Sequence, residues 1–306
     1  MNSNHWGERH CLRHPLQLKS MPMYFFQSHT VLAFSLATLL GLIIGSFINV
    51  VIIRYPKMLK RTWQKECEDF LGIPSAKASK FNVAAPRSHC PNCKHSIKAW
   101  HNIPVLSYIL LRGRCVNCKE SISFIYPLVE ILIALLAVTM AYHFGFTWKA
   151  CAATLFTWGL LALSVIDYRE QLLPDTMTIG LLWLGLLVNC YGIFTSAESA
   201  IIGAIVGYSL LWSVAKLFKS IRKKDGLGHG DFKMLAMLLA WLGIGMLSNI
   251  LLLAIFSALI VTLTLLVFKK ITPKNPIPFG PFLAFGGLCS LLFGPFLINL
   301  IINGIQ

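Results

Sequence analysis

The sequence predicts an all-α polytopic membrane protein, on the strength of three observations. The 306-residue chain is 56% hydrophobic and only 13% charged, which is too apolar for a soluble protein of this length. Eight apolar runs approach the roughly 20 residues that cross a bilayer as a helix. The basic residues gather between those runs, so the net charge of +15 indicates membrane topology and lipid head groups, not nucleic acid.

The eight predicted transmembrane segments differ in strength. The sixth is the weakest because it is short and contains Gly243 and Gly245, so we expect it to be tilted or to continue into the seventh as a re-entrant hairpin. The segments lie approximately at 29–53, 124–144, 149–166, 177–194, 199–218, 233–246, 248–268 and 281–302.

The N-terminal extension, residues 1–28, has no assigned role. It precedes the first apolar run without a clear small-residue cleavage site, so we do not expect a cleaved signal peptide. Met21 and Met23 are alternative translation starts.

The distribution of lysine and arginine predicts the orientation. The segments 54–123, 167–176, 216–233 and 269–280 contain 23 of the 27 basic residues. Eight alternating spans place all four segments on one side of the membrane, which the positive-inside rule identifies as cytoplasmic. Both termini are then expected outside.

The largest hydrophilic segment, residues 54–123, is predicted to form a cytoplasmic loop domain between the first span and a seven-helix membrane domain at 124–306. Pro56, Pro74 and Pro86 predict that no long helix runs through it. It contains two C-x-x-C pairs separated by 21 residues, at Cys90 and Cys93 and at Cys115 and Cys118.

Two such knuckles can arrange four thiolates tetrahedrally around one Zn²⁺. Disulfides are the alternative, but a cytoplasmic loop is kept reduced. His89, His95 or His101 would be able to replace one sulfur. Four sulfur ligands leave no open coordination position, so we predict a structural zinc ion, about one per chain, and not a catalytic one.

Two aspartates at the ends of apolar runs are the candidate catalytic residues. Asp167 ends the third run, where a carboxylate faces the unfavourable end of the helix dipole, and Asp231 follows Gly228-His229-Gly230 before the sixth run. A solvated helix end and a helix N-cap are the structural alternatives, and the residues alone leave the choice open. The predicted topology puts both on one bilayer face, where paired carboxylates would share a proton and provide a general acid and a general base.

The other acidic residues near the spans have less specific interpretations. Asp175 is expected to cap the fourth span, and Glu130 lies within the second span, where a buried acid needs a donor or must stay protonated. Lys233 or a loop arginine is a possible donor for it. His229 is expected at the entrance of the site.

Several strings, taken in order, resemble the type IV prepilin peptidase family of G-x-G-D membrane aspartyl proteases. The resemblance covers nearly the whole chain after about residue 30. Gly228-His229-Gly230-Asp231 with Lys233 is similar to the family's second catalytic region. The other matching segments are 45–56, the paired cysteine knuckles, 102–108, 111–114, 126–130, 167–175 and 278–284.

The resemblance implies an aspartic endopeptidase with Asp167 and Asp231 as its catalytic residues. Its substrates would be type IV prepilins and type II secretion pseudopilins, cut after a Gly at the cytoplasmic face of a bacterial inner membrane. The family also implies N-methylation of the new N-terminus from S-adenosyl-L-methionine, for which the chain shows no Rossmann-type glycine-rich loop.

Two other functions stay open from the residues alone. Asp167 and Asp231 would serve a transporter or channel as a proton relay, although they lie at span ends and no inverted repeat is visible. A non-catalytic assembly factor held by its zinc loop is the third possibility.

Overall fold

The computed structural model describes residues 29–73, 81–86, 89–90, 92–96, 104–224, 226, 228–269 and 277–303, with side chains up to Gly294 in the last helix. The predictions for residues 1–28, Met21, Met23, Pro74 and His101 lie outside this part. The described residues contain no β-strand, only two isolated bridges. Their α-helices are α1 (Thr30–Phe70), α2 (Leu106–Leu110), α3 (Ile125–Phe144), α4 (Trp148–Glu170), α5 (Asp175–Cys190), α6 (Ala197–Arg222), α7 (His229–Leu242), α8 (Leu247–Val267) and α9 (Gly280–Asn303).

Every predicted apolar run coincides with a helix, and the all-α membrane class is confirmed. Five of the described helices are long and apolar enough to cross a bilayer: α1, α3, α4, α6, and α8 with the 3₁₀ turn that precedes it. The α5 helix and the part of α9 from Gly280 to Gly294 are apolar but shorter. The number of eight spans therefore stays a prediction.

The α1 helix contradicts the prediction that Pro56 prevents a long helix from running into the segment 54–123. It runs without interruption through Pro56 to Phe70, well beyond the predicted end of the first span at residue 53. A proline removes one backbone donor and disturbs the preceding turn only, and Pro56 is buried within the helix. The helix therefore extends from the packed bundle into the segment that was predicted to be a loop.

The α7 helix, which contains Asp231, lies at the centre of the bundle. It packs against α5, α6 and α9, and every residue from Met234 to Leu242 is buried. Its 14 residues span about 21 Å, less than the roughly 30 Å of a bilayer core. This structure explains why the sixth apolar run is short. The α7 helix is surrounded by other helices and ends before Gly243, so its sequence does not have the length of a typical membrane span.

A buried asparagine fixes the end of α7 that is remote from Asp231. The Asn189 amide donates to the carbonyl oxygens of Ala240 and Trp241, both at 2.8 Å, and its oxygen accepts from the backbone N–H groups of Phe194 and Thr195. All the bonding capacity of one buried amide is used to join α5, α7 and the loop before α6. Buried amides are expected to be satisfied in this way.

Candidate active site and metal centre

Asp167 lies in the last full turn of α4 and is only 6% exposed. Its Oδ2 atom accepts a hydrogen bond of 3.0 Å from the backbone N–H of Gly280, the first residue of α9. The positive end of one helix dipole thus faces a carboxylate at the negative end of another. The Gly280 N–H thus offsets the unfavourable interaction of the Asp167 carboxylate with the C-terminal end of α4.

Asp231 lies in the first turn of α7 and is 7% exposed. Its backbone N–H bonds to the carbonyl oxygen of Gly228 at 3.1 Å. Gly228 is the N-cap residue, and the Asp231 carboxylate, at the third helical position, accepts the backbone N–H of Gly228. Asp231 is therefore not the N-cap itself, but it does help to cap α7. At Gly230 a Cβ atom would lie 2.7 Å from the Leu173 Cβ, which explains why the turn before Asp231 needs a glycine.

The structure brings the two aspartates to the same end of the helix bundle, as the topology predicted. They are close enough that the charge of Asp167 acts on Asp231 through mutual repulsion. Two buried carboxylates in this relation hold one proton more easily than two negative charges. Such a pair has both a proton acceptor and a proton donor available at one place.

An ion pair joins the two helices that begin beside this pair. The Lys233 Nζ atom lies 2.6 Å from the Asp175 Oδ2 atom, which connects the start of α7 to the start of α5. The prediction that Asp175 caps α5 is wrong, because Pro174 is the N-cap residue and Asp175 is the first residue of the helix. Exposed His229 begins α7, and its ring lies 5.5 Å from that of Phe232.

The extension of α1 contacts the same end of the bundle. The Lys60 Nζ atom lies 2.6 Å from the Glu170 Oε2 atom, at the end of α4, and the Tyr55 hydroxyl hydrogen-bonds to Thr176 in the first turn of α5. Glu170 is three residues beyond Asp167. The helix that leads into the loop domain therefore braces the helix that holds a candidate catalytic residue.

Glu130 connects the membrane helices to the loop domain. Its carboxylate accepts the backbone N–H of Val105 at 2.8 Å, and the side chains of Ser46 and Asn49 also bond to it. The expectation that it needs a donor is confirmed, whereas Lys233, a suggested donor, pairs with Asp175 instead. A Cβ at Gly45 would lie 2.8 Å from the Glu130 Cα, so α1 and α3 approach closely here.

The four predicted cysteines converge in one cluster. Their sulfur atoms all lie within 4.8 Å of one another, with 3.7 Å between Cys90 and Cys118 and 4.0 Å between Cys93 and Cys115. Four sulfurs at about 2.3 Å from a central Zn²⁺ would lie roughly 3.8 Å apart. The donor set and its dimensions fit a tetrahedral metal, and the distances exclude disulfides among these four cysteines.

The two knuckles have the same backbone design. Lys94 and Lys119, each directly after a C-x-x-C pair, have φ values of 59° and 60° and donate their N–H groups to the carbonyl oxygens of Cys90 and Cys115. The backbone N–H of His95 and the Asn117 side chain lower the pKa of the Cys93 thiol to about 6. The thiolate is the form that binds metals. Neither His89 nor His95 belongs to the cluster.

Fold and site together define a class: a helical membrane protein with paired, buried carboxylates at one end of its bundle and a four-cysteine centre in the adjoining loop. Two family models match it, the Bacterial Peptidase A24 N-terminal domain over residues 39–144 and the Type IV leader peptidase family over residues 154–263.

Full-length relatives agree with these matches. The prepilin leader peptidase/N-methyltransferase of Stutzerimonas stutzeri is 48% identical over 274 residues, which are 89% of this chain and 95% of the relative. The protein of that name from Pseudomonas aeruginosa is 48% identical over 276 residues, 90% of this chain and 95% of the relative. The one from Aeromonas hydrophila is 47% identical over 265 residues, 86% and 91%. The chain belongs to the type IV leader peptidase family and is a multi-pass inner-membrane protein. No solved structure matches it.

Sequence reasoning missed the role of Gly280. The string 278–284 was recognisable as part of a family pattern, but nothing in it indicated a hydrogen bond to Asp167, 113 residues earlier in the chain. The only available signal was a glycine at the start of an apolar run that follows a basic segment. A helix N-terminus at that point is a potential anion site.

Proposed function

We propose that this chain cleaves the leader peptide of type IV prepilins and pseudopilins, with Asp167 and Asp231 as its catalytic residues, and then methylates the new N-terminus. The observation that carries the proposal is that two buried aspartates lie at one end of the bundle, near enough for their charges to interact, in a member of this family. The relatives' printed names supply both activities.

The dyad has a simple division of labour. The ionised carboxylate removes a proton from a water molecule as the water oxygen attacks the carbonyl carbon of the scissile peptide bond. The protonated carboxyl group gives its proton to the carbonyl oxygen. When the tetrahedral intermediate collapses and the C–N bond breaks, the leaving amine takes the proton that the first carboxylate removed from water, and the hydroxyl group of the intermediate returns its proton to the second carboxylate. The N–H of Gly280 holds the Asp167 carboxylate in position throughout.

The orientation follows from charge. The four basic segments adjoin the bundle end that contains the dyad, and this end is assigned to the cytoplasm by the positive-inside rule. In this layout residues 29–53 form the first span, 54–123 the cytoplasmic loop domain and 124–306 the peptidase membrane domain. A substrate anchored by an apolar helix would present its polar leader at this face.

The cofactors are assigned by the chemistry of the available donors. A structural Zn²⁺ would be held by the four-cysteine cluster and would cross-link the two knuckles of the loop. Its ligands would be Cys90, Cys93, Cys115 and Cys118. S-adenosyl-L-methionine would serve as the methyl donor, as the family resemblance implies, for the N-methyltransferase activity in the relatives' printed names. Glu130 and the loop residues near the knuckles are where we would look for that second activity.

Separate Asp167→Asn and Asp231→Asn variants, assayed for cleavage of a type IV prepilin in membranes, test the proposal. Each replacement should abolish cleavage while the protein still inserts and binds zinc. The exposed Asp69 at the end of α1 provides the control, and Asp69→Asn should cleave normally. Full cleavage by both site variants would rule out the dyad and favour a proton relay or an assembly factor.

A further inference from the structure

A small cavity lies between the α4 and α9 helices, and its lining begins at Ser164, one helical turn before Asp167, and at Pro281, next to Gly280. It has a volume of about 220 Å³ and is formed mainly by these two helices, with one residue from α3. We call it the α4/α9 groove. Its lining residues are Leu136, Thr157, Leu160, Leu161, Ser164, Pro281, Ala284, Phe285 and Leu288.

The α4/α9 groove continues the line on which Asp167 lies. On α4, Thr157, Leu160 and Ser164 follow the helical repeat, and Asp167 is the next position of that stripe. On α9 the lining begins at Pro281, the neighbour of the Gly280 that bonds to Asp167. The lining extends over seven residue steps on each helix, from Thr157 to Ser164 and from Pro281 to Leu288. The groove is therefore about 10 Å long and is directed away from Asp167.

The groove is chemically apolar despite its two hydroxyl groups. The Ser164 hydroxyl donates to the Leu160 carbonyl oxygen at 2.7 Å, and the Thr157 hydroxyl donates to that of Thr154 at 3.0 Å. Both protons are used within α4, so nothing in the lining demands a polar ligand. An apolar cavity of about 150 Å³ accommodates a benzene ring, so this groove has room for an aromatic side chain or a pair of branched aliphatic ones.

The groove is also open to the side. Phe285 at its rim is 48% exposed, on a helix surface that faces the surroundings of the bundle. A membrane-embedded helix could therefore enter laterally. An occupant that filled the groove would bring its next backbone units to the dyad, one helical turn away.

We propose that the α4/α9 groove is a specificity site that binds the first large apolar side chains on the carboxyl side of the scissile bond, within the membrane helix of the substrate. This proposal rests on the peptidase function proposed above. The groove sets the depth of the substrate helix, and with it the peptide bond that reaches Asp167 and Asp231. A lipid acyl chain is the competing occupant, and the experiment below separates the two.

The first test fills the groove. Ser164→Leu places a larger side chain in it, and Ser35→Leu on α1 is the matched control, since Ser35 is an exposed serine with the same back-bond, at 2.8 Å to Val31. With a prepilin that the wild type cleaves, Ser164→Leu should lower kcat/KM at least tenfold, mainly through KM, and Ser35→Leu should stay within twofold. Replacing the substrate's first large apolar residues by alanine should restore cleavage by Ser164→Leu.

That rescue distinguishes a blocked groove from a displaced Asp167 carboxylate. If Ser164→Leu acted by displacing Asp167, a smaller substrate side chain would not restore cleavage. Equal kcat/KM for the two serine variants would overturn the groove proposal and leave the peptidase function intact. A wild type that cleaves no prepilin would instead refute the proposed function. A loss that is identical for every substrate sequence would indicate a lipid in the groove and contradict the proposal.

The second test does not depend on the stability of a filled variant. A photoreactive benzoylphenylalanine at position 285 of the Asp167→Asn protein should cross-link to the membrane helix of the prepilin. The same group at position 293, an exposed phenylalanine two turns along α9, should not. Equal prepilin cross-linking at both positions, or lipid adducts alone at position 285, would overturn the assignment.

Discussion

The hydrogen bond from Gly280 to Asp167 makes Gly280→Ala the most informative single substitution outside the dyad. An added Cβ would lie 2.6 Å from the Asp167 Oδ2 atom and 3.2 Å from its Cγ atom. Ordinary contact begins near 3.4 Å, so the carboxylate must move by about 0.8 Å. Misplacement of a reacting group by about 1 Å costs on the order of 100-fold in rate.

The clash involves only atoms of one side chain, so the backbone has no reason to move. Gly280→Ala should therefore insert and unfold like the wild type, while kcat for prepilin cleavage in membranes falls by about two orders of magnitude. The matched control is Gly180→Ala in α5, where nothing lies within 4 Å of the new Cβ, and its kcat should stay within about twofold of the wild type. Equal rates for the two alanine variants would refute the view that Gly280 positions the Asp167 carboxylate.

Three further predictions concern the supports of the site. Cys93→Ser should reduce bound zinc well below one ion per chain in metal analysis, whereas Cys67→Ser, at an exposed cysteine outside the cluster, should retain it; zinc absent from the wild type would contradict the four-cysteine centre. Glu130→Leu removes the acceptor of a partly buried loop amide at a cost of about 1 kcal/mol and should speed limited proteolysis of the loop domain, while Glu130→Gln should preserve the protection of the loop. Equal digestion of both variants would contradict the role of Glu130 in anchoring the loop. Asn189→Leu should lower the unfolding temperature by several degrees, because it abolishes four hydrogen bonds at a cost of about 3 kcal/mol. Thr264→Ala, which removes one hydrogen bond at an exposed site, should leave the unfolding temperature unchanged. An unchanged unfolding temperature for Asn189→Leu would contradict the role of the amide.

Local chemistry was the most predictable part of the site. The C-x-x-C pairs predict a metal centre because each turn by itself orients two sulfur atoms. The four ligands then form one site when the two turns come together. The sequence predicts that Asp167 and Asp231 lie at the same end of the bundle. This follows because the lengths of the apolar runs and the positions of the basic loops restrict the topology.

Contacts between distant segments were not predictable in this way. The hydrogen-bond donor to Asp167 is a backbone N–H of another helix, and that to Glu130 is a loop amide. Lys233 forms its ion pair with Asp175 and not with Glu130. Each choice depends on side-chain distances that composition and spacing do not contain. Pro56 shows a different limit, because the local rule that proline ends helices was overridden by the packing of α1 against α3 and α4.

The central claim is that Asp167 and Asp231 act as one unit, and a double-mutant cycle on prepilin cleavage tests it most directly. Residues that work as a unit are strongly non-additive: removing either one costs nearly as much as removing both. We predict that Asp167→Asn and Asp231→Asn each lower kcat/KM by at least about 10³-fold, and that the double variant is no slower than the singles. Losses that multiply in the double variant, or full cleavage by either single variant, would contradict a catalytic dyad.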